Sequence, residues 1–304
     1  MTTEIRDLTL DDLPACLALA QDRAWLPEEH KWRLLFDVGT VYGVRDEAGG
    51  LVGTTVLTRF GGGLAAISMV LVAGRCGGRG LGRRLMEHAL VAAGEATVIL
   101  WATEYGRPLY EKLGFVVDGL THTYAGRFSA PASDGGAGSR PAVPASGGAA
   151  GSRPAVPASG GAAGSRPAVP ADLPALIALD AEVAGADRGE LVRRLPGFTE
   201  QLRVVERGGV ISGYGGAWRN LAEVVVGPVV AGNLDDARTL IGDLAGAVSG
   251  GVRLDLDDRH PSLLGWAAER GLALRRSTVT MVRGGRELPG ERGRWFAPVM
   301  QALG

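Results

Sequence analysis

Cysteine and lysine are almost missing from this chain. Cys16 and Cys76 stand sixty residues apart, which excludes a disulfide framework and the paired spacing of a zinc site. Lys31 and Lys112 are the only lysines among 32 basic residues; the Arg-, Ala- and Gly-rich remainder points to GC-rich coding and a bacterial source. A formal net charge of −1 gives no global pull toward nucleic acid or an anionic membrane. No apolar run approaches the roughly 18 residues of a membrane span, and "MTTEIRDLTL" lacks the basic-then-apolar order of an export signal. His88, His122 and His260 have no metal-spaced companions. The expectation is a soluble cytoplasmic protein with no metal, nucleic-acid or membrane partner, monomeric or weakly homodimeric.

What is present suffices for two domains: 304 residues, 46% of them hydrophobic, can fill two cores. Between them "GSRPAVPASGGAA" runs from Gly138, recurs from Gly151, and "GSRPAVPA" starts again at Gly164. Each unit offers one Val and no strand or helix period, so residues 130–165 are expected to be a disordered linker rather than a solenoid. The third copy leads into "DLPALIALD", which mirrors "DLPACLALA" at the chain start: Arg6 matches Arg166, and Asp12–Ala15 match Asp172–Ala175. Both halves, 1–129 and 166–304, are expected to open with a short strand, an Asp N-cap and a helix with Pro in its first turn.

In the first half, "TVYGVRD" and "LVGTTVLTRF" around "EAGG" read as a hairpin. "AAISMVLVAG" reads as a buried strand, "ATVILWAT" as another, "GRPLYEKLG" as a helix and "FVVDGLTHTYAG" as a last strand. The order β, α, β, β, β, α, β, α, β predicts a mixed α/β sheet. Between the two buried strands lies "AGRCGGRGLGRRLMEHAL" (Ala73–Leu90), five glycines followed by an amphipathic helix to about Gly94. Glycines between a strand and a helix start let successive N–H groups converge on an anion such as a pyrophosphate. A Walker A loop would need Lys-Ser/Thr after Gly82, where Arg83 and Arg84 stand, and a Rossmann loop would lie near the start of its unit.

Gly78-Arg79-Gly80-Leu81-Gly82 after "MVLVAG", followed by "ATEYGRPLYEKLGF", resembles the GNAT superfamily of N-acetyltransferases over about residues 3–128. The resemblance implies that acetyl-CoA is the cosubstrate, that Met69, Val70, Leu71 and Val72 present backbone groups to its pantetheine arm, and that Gly77, Gly78, Arg79, Gly80, Leu81, Gly82 and Arg83 wrap its pyrophosphate. Thr103 falls where the family often has Asn. Gly77 stands where the family usually has Arg or Gln, with Arg79, Arg83 and Arg84 supplying positive charge nearby. The resemblance makes Tyr110 the general acid for the leaving thiolate; a phenol with an unperturbed pKa near 10 is protonated at neutral pH. Glu104, near the end of the same strand, is the candidate base, with Glu28, Glu29, His30 and a water relay as alternatives. Trp25 and Trp32 either wall the acceptor pocket or pack the core.

The second half repeats the element order in "LRVVERGG", "VISGYGGAWR", "AEVVVGPVVAG", "LDDARTLIGDLAGAV", "VRLDLDD", "SLLGWAAERG" and "LALRRSTVTMVRGG". Here Ala267 stands opposite Tyr110, and "AGNLDDAR" replaces the glycine loop with two carboxylates that would repel a pyrophosphate. This half resembles the degenerate GNAT-like domain of tandem acetyltransferases, expected to complete the acceptor cleft or mimic a dimer partner. Asp187-Arg188, Asp255, Asp257 and Asp258 are acceptor contacts or, alternatively, a helix cap and a solvated strand end. The reading is two GNAT-like mixed-sheet domains, the first transferring acetyl to a small-molecule primary amine by direct attack. The rivals are an acyl-CoA sensor or scaffold without turnover, and a protein N-acetyltransferase. Deleting one thirteen-residue repeat is expected to leave turnover and thermal midpoint nearly unchanged, because loop closure shifts by only a few tenths of a kcal/mol for such a change in length; a large fall in midpoint would mean the repeat packs on a domain.

Overall fold

The computed structural model describes residues 4–130, 164–284 and 287–303; apart from Ala130, Gly164 and Ser165, the expected linker lies outside the described residues. The first half runs β1 (Arg6–Asp7), α1 (Leu13–Asp22), α2 (Glu29–Val38), β2 (Thr40–Arg45), β3 (Leu51–Phe60), β4 (Leu64–Val72), α3 (Leu81–Ala93), β5 (Thr97–Ala102), α4 (Arg107–Lys112) and β6 (Val116–Gly126). The second repeats it as β7 (Arg166–Pro167), α5 (Leu173–Ala184), α6 (Gly189–Phe198), β8 (Gln201–Arg207), β9 (Val210–Arg219), β10 (Val224–Ala231), α7 (Leu234–Gly246), β11 (Val252–Asp257), α8 (Pro261–Glu269) and β12 (Leu272–Arg283), and then adds β13 (Trp295–Ala297).

The two halves open alike, as the repeated sequence requires, though not through the expected cap. Asp12 and Asp172 occupy the N-cap positions of α1 and α5 but turn their carboxylates backward, accepting from Thr9 N (3.0 Å) and Val169 N (2.8 Å). Each is then fixed by an arginine, Arg45 on Asp12 and Arg166 on Asp172. The helices α2 and α6 were not expected. In α2, Trp32 and Leu35 are wholly buried and Leu34 nearly so, giving an apolar face three to four residues apart. Trp32 is therefore core, whereas Trp25 is exposed.

All thirteen strands form one sheet in the order β1-β2-β3-β4-β5-β12-β6-β11-β10-β9-β8-β7, with β13 also on β10. The halves exchange their last strands. β12 pairs antiparallel with β5, Val279 opposite Ala102, and β6 pairs antiparallel with β11, Thr123 opposite Asp255; the exchanged strands also pair with each other. Two separate mixed-sheet domains are the expectation from sequence, and the exchange is a long-range pairing that the period within one strand does not encode. One face is covered by α1, α2, α5 and α6, whose apolar side chains form a single cluster across both halves. The opposite face carries α3 and α4 over one cluster and α7 and α8 over another.

A buried ion pair also sits at the seam. Arg188 and Asp180 are each about 1% exposed and joined at 3.0 Å. Tyr214 donates its hydroxyl to Asp180, and the Arg188 guanidinium lies 5.3 Å from the Phe60 ring of the first half and 4.2 Å from Trp295. Arg188 thus serves packing between the halves, and Asp187 caps α6 by accepting from Gly189 N at 2.8 Å.

Because each half completes the other's sheet, a protease site introduced within residues 131–163 is expected to yield two fragments that stay associated after cleavage. Size-exclusion chromatography under native conditions checks this, and two independently folded fragments would contradict it.

Candidate functional site

The first-half site begins where β4 leaves β5. The two strands are parallel and pair at Leu64–Thr97, Ala65–Val98 and Ala66–Ile99, and no further. Against β3, the register of β4 shifts between Ser68 and Leu71, and Met69 takes a φ of 48°. A bulge of this kind bends a strand away from its neighbour, and a positive φ at a non-glycine residue costs on the order of 1 kcal/mol and more. Thr54 holds it by donating its hydroxyl to Met69 O at 2.9 Å. The backbone of Met69, Val70, Leu71 and Val72 thus borders a widening gap on the β5 side.

The glycine loop follows directly. Gly78 and Gly80 have φ of 73° and 77°, and a Cβ on either would meet nothing within 4 Å, so the loop is left-handed and open outward. Gly80 is the N-cap of α3 and offers no side chain to its first-turn N–H groups. These donors, with the positive end of the helix dipole, face the space an anion would fill. Leu81 is buried beneath the loop. Arg79 makes no ion pair among the described residues, and Arg83 reaches Glu87 only at 3.4 Å. Arg75 is committed to Asp46 at 2.7 Å and does not replace the side chain missing at Gly77. The donor set fits a pyrophosphate, and the gap beside β4 fits an extended arm.

Gly82 joins the parts: a Cβ there would stand 3.6 Å from both Val72 and Leu109, so α3, β4 and α4 converge on it. Thr103, at the end of β5, starts α4: its Oγ1 accepts from Gly106 N at 3.2 Å and its carbonyl from Arg107 N at 3.0 Å. Tyr110 on α4 is 9% exposed, edge-on to Phe115 with ring centroids 6.0 Å apart, in the cluster that Val70 joins from β4. Its hydroxyl has no hydrogen bond among the described residues, and burial pushes its pKa up to about 12. Gly106, which the sequence did not single out, lies under this ring: a Cβ there would come within 2.9 Å of it. Glu104 is exposed in the loop between Thr103 and Gly106.

The remaining base candidates separate. Glu29 is on the surface beside Arg33. His30 stacks on Phe198 of the second half, centroids 4.3 Å apart, and donates Nε2–H to its carbonyl at 2.8 Å. Glu28 is buried against Lys31.

The second half has the same divergence and closes it. β10 and β11 pair in parallel at three positions, Val224–Val252 to Val226–Leu254. Beyond them β13 takes the freed edge, Val229 opposite Ala297 and Val230 opposite Trp295, with Trp295, Phe296 and Ala297 all buried. The start of α7 is capped by its own Asn233, whose Oδ1 accepts from Asp236 N at 2.9 Å. Ala267 is wholly buried on α8. Of the carboxylates seen in the sequence, Asp236 is held by Arg207 and Ser212, Asp257 by Arg259 and Asp255 by Arg253, while Asp235 is exposed with Arg238 3.7 Å away. Among the described residues no group of His, Cys, Asp and Glu is arranged to hold a metal ion, and no helix is long and apolar enough to cross a membrane.

Two family profiles, each described as an acetyltransferase (GNAT) domain, match residues 37–117 and 176–297. The uncharacterized N-acetyltransferase YitH of Bacillus subtilis (strain 168) is 26% identical over 305 residues, covering 99% of this chain and 98% of its own. A crystal structure of a Pyrococcus horikoshii protein, provisionally assigned as an acetyltransferase, has the same fold with a TM-score of 0.76 at 16% identity, covering 99% of this chain and 96% of that one. A tandem GNAT protein from the clavulanic acid biosynthesis pathway superposes with a TM-score of 0.61 at 17% identity, over 94% of this chain and 100% of its own. Gly80→Asp is expected to abolish calorimetric binding of CoA while costing no more than about 1–2 kcal/mol of stability, since a carboxylate would stand where a bound phosphate would lie; retained affinity would move the anion site elsewhere.

Proposed function

The chain belongs to the GNAT superfamily of acetyltransferases, with two copies of its domain in tandem, and from this we propose that its first half transfers acetyl from acetyl-CoA to a small-molecule primary amine. The observation that carries the reading is the contrast between the halves: the same strand divergence is lined by an open glycine loop and a buried tyrosine in the first and filled by β13 in the second. One cofactor per chain follows. Gly77, Gly78, Gly80, Leu81 and Gly82 would hold the pyrophosphate through backbone N–H groups, Arg79 and Arg83 would add charge, and Met69 to Val72 would bind the pantetheine arm along β4.

Bound there, acetyl-CoA supplies an acyl thioester. A primary amine with a pKa near 10.4 arrives protonated and must lose a proton before it can attack. Glu104, solvated at the end of β5, passes that proton to water. The amine nitrogen then bonds the acyl carbon as the carbon–sulfur bond breaks, with no acyl-enzyme, and the nitrogen releases its second proton to water by the same route. Tyr110 meets the charge that collects on sulfur. A phenol held at about 12 is a weaker acid than a thiol near 8.5, so its hydroxyl acts mainly as a hydrogen-bond donor to the departing thiolate.

Tyr110→Phe is expected to lower kcat on the order of 100-fold, the low end for such a donor, with acetyl-CoA affinity unchanged. Because burial keeps the phenol protonated until about pH 12, wild type and variant should share the same alkaline profile across the assay range. Rates on a validated amine with chemistry limiting check this. Wild-type turnover in the variant would remove Tyr110 from the mechanism, and lost cofactor affinity would make it structural.

A further inference from the structure

The glycine loop and Tyr110 lie on the face of the sheet covered by α3 and α4. The opposite face of the β4–β5 gap is the one on which α1, α2, α5 and α6 pack, and an acceptor on that side would meet the central strands. The central strands are polar there rather than apolar. Trp101 on β5 donates its Nε1–H to Thr121 of β6 at 2.9 Å, and Thr121 lies 3.2 Å from Thr280 of β12. Asp255 on β11 accepts from Thr123 at 2.6 Å, from Gln301 at 3.0 Å and from Arg253 at 2.7 Å and 3.2 Å. These groups satisfy one another and need no ligand.

Two groups beside the gap on this face have no hydrogen-bond partner among the described residues. Ser68 Oγ is buried with no hydrogen-bond partner; two residues beyond the last β4–β5 pair, Ala66–Ile99, it stands level with Trp101 at the near side of the gap. Arg276 is the other. β12 pairs Val279 with Ala102, the last residue of β5, so Arg276 lies three residues past the end of that strand, roughly 10 Å along it at about 3.3 Å per residue. It is opposite Thr123 and accessible to solvent. Arg276 has no ion pair or hydrogen bond among the described residues, although Arg253, Asp255, Glu28 and Glu223 are near enough to act on it electrostatically. Asp255 is taken by Arg253 and Glu28 by Lys31. Although its side chain is open to solvent, partial desolvation against the sheet and the like charge of Arg253 disfavour its cation, and a bound anion would offset that repulsion. A guanidinium's planar fork matches a carboxylate in two parallel hydrogen bonds.

Resting on the acetyl-transfer reading above, we infer that the acceptor is an amine that also bears a carboxylate, and that Arg276, contributed by the second half, receives that carboxylate while the amine lies toward Ser68 and the thioester. The second half would then determine which amines are used without binding a cofactor of its own.

Matched pairs test this: phenylalanine against phenethylamine, lysine against cadaverine, and β-alanine against ethylamine, assayed for CoA release and titrated calorimetrically into the protein saturated with CoA. The expected result is a higher kcat/KM for the carboxylate-bearing member of an accepted pair. Arg276→Gln should raise its KM and Kd by about tenfold or more, as loss of a charged hydrogen-bond pair does. kcat should change less, acetyl-CoA affinity should hold, and Arg276→Lys should recover part of the loss. Preference for the decarboxylated amines, failure to acetylate any of the six, or an unchanged KM in Arg276→Gln overturns the inference while acetyl-CoA binding leaves the cofactor reading standing. A protein that binds no acetyl-CoA overturns both.

Discussion

β5 has one edge that β4 abandons after three residue pairs and another that must be hydrogen-bonded along its whole length. An unpaired edge in the middle of a buried sheet leaves donors and acceptors unsatisfied at 1–3 kcal/mol each, so the second edge dictates much of the architecture. Here it is met by β12, five residues deep from Arg283–Val98 to Val279–Ala102. β6 is correspondingly free to complete β11 in the other half. The exchange welds two domain copies into one sheet and places residues of the second half beside β5 of the first. Without the second half that edge of β5 would lack its partner.

The same constraint explains how one backbone plan serves two ends. A parallel pair that parts after three residues exposes a row of backbone groups on its inner edge. In the first half that edge is left for a ligand, beside glycines whose positive φ keeps the loop open. In the second, the chain's own β13 satisfies it and buries Trp295 and Phe296 in the process. Asn233 completes the change by capping α7 from within. Strand, cap and the small residue at Ala267 agree with one another in closing the cleft that stays open in the first half.

Charge at the seam is arranged in two ways. Arg188 and Asp180 are sealed, with Tyr214 and two aromatic faces completing their environment; removing either partner would strand a buried charge, a loss of about 3–5 kcal/mol in comparable pairs. Arg276 is accessible and unpaired among the described residues. The first arrangement fits a structural joint and the second a site of recognition.

The sequence by itself determined what neighbours along the chain can encode. The strand and helix periods, the duplicated opening at Arg6 and Arg166, the glycine run between a strand and a helix start, and the loss of loop and tyrosine in the second half all rest on local sterics and spacing. The catalytic candidate Tyr110 was legible because its motif is contiguous; its raised pKa was not, since desolvation depends on Val70, Phe115 and the helices that close over it. Helix α2 was missed although Trp32, Leu34 and Leu35 mark its buried face, because charged residues interrupt that run. Gly106 escaped notice because the need for a hydrogen there comes from a ring four residues on. Only the tertiary structure decided which strand completes which edge, that β13 fills the second cleft, and that Arg276 stands beside the end of β5. Strand partners are chosen by packing over the whole sheet, and between two strands of similar length, 11 and 12 residues, no local signal distinguishes the exchanged pairing from the unexchanged one.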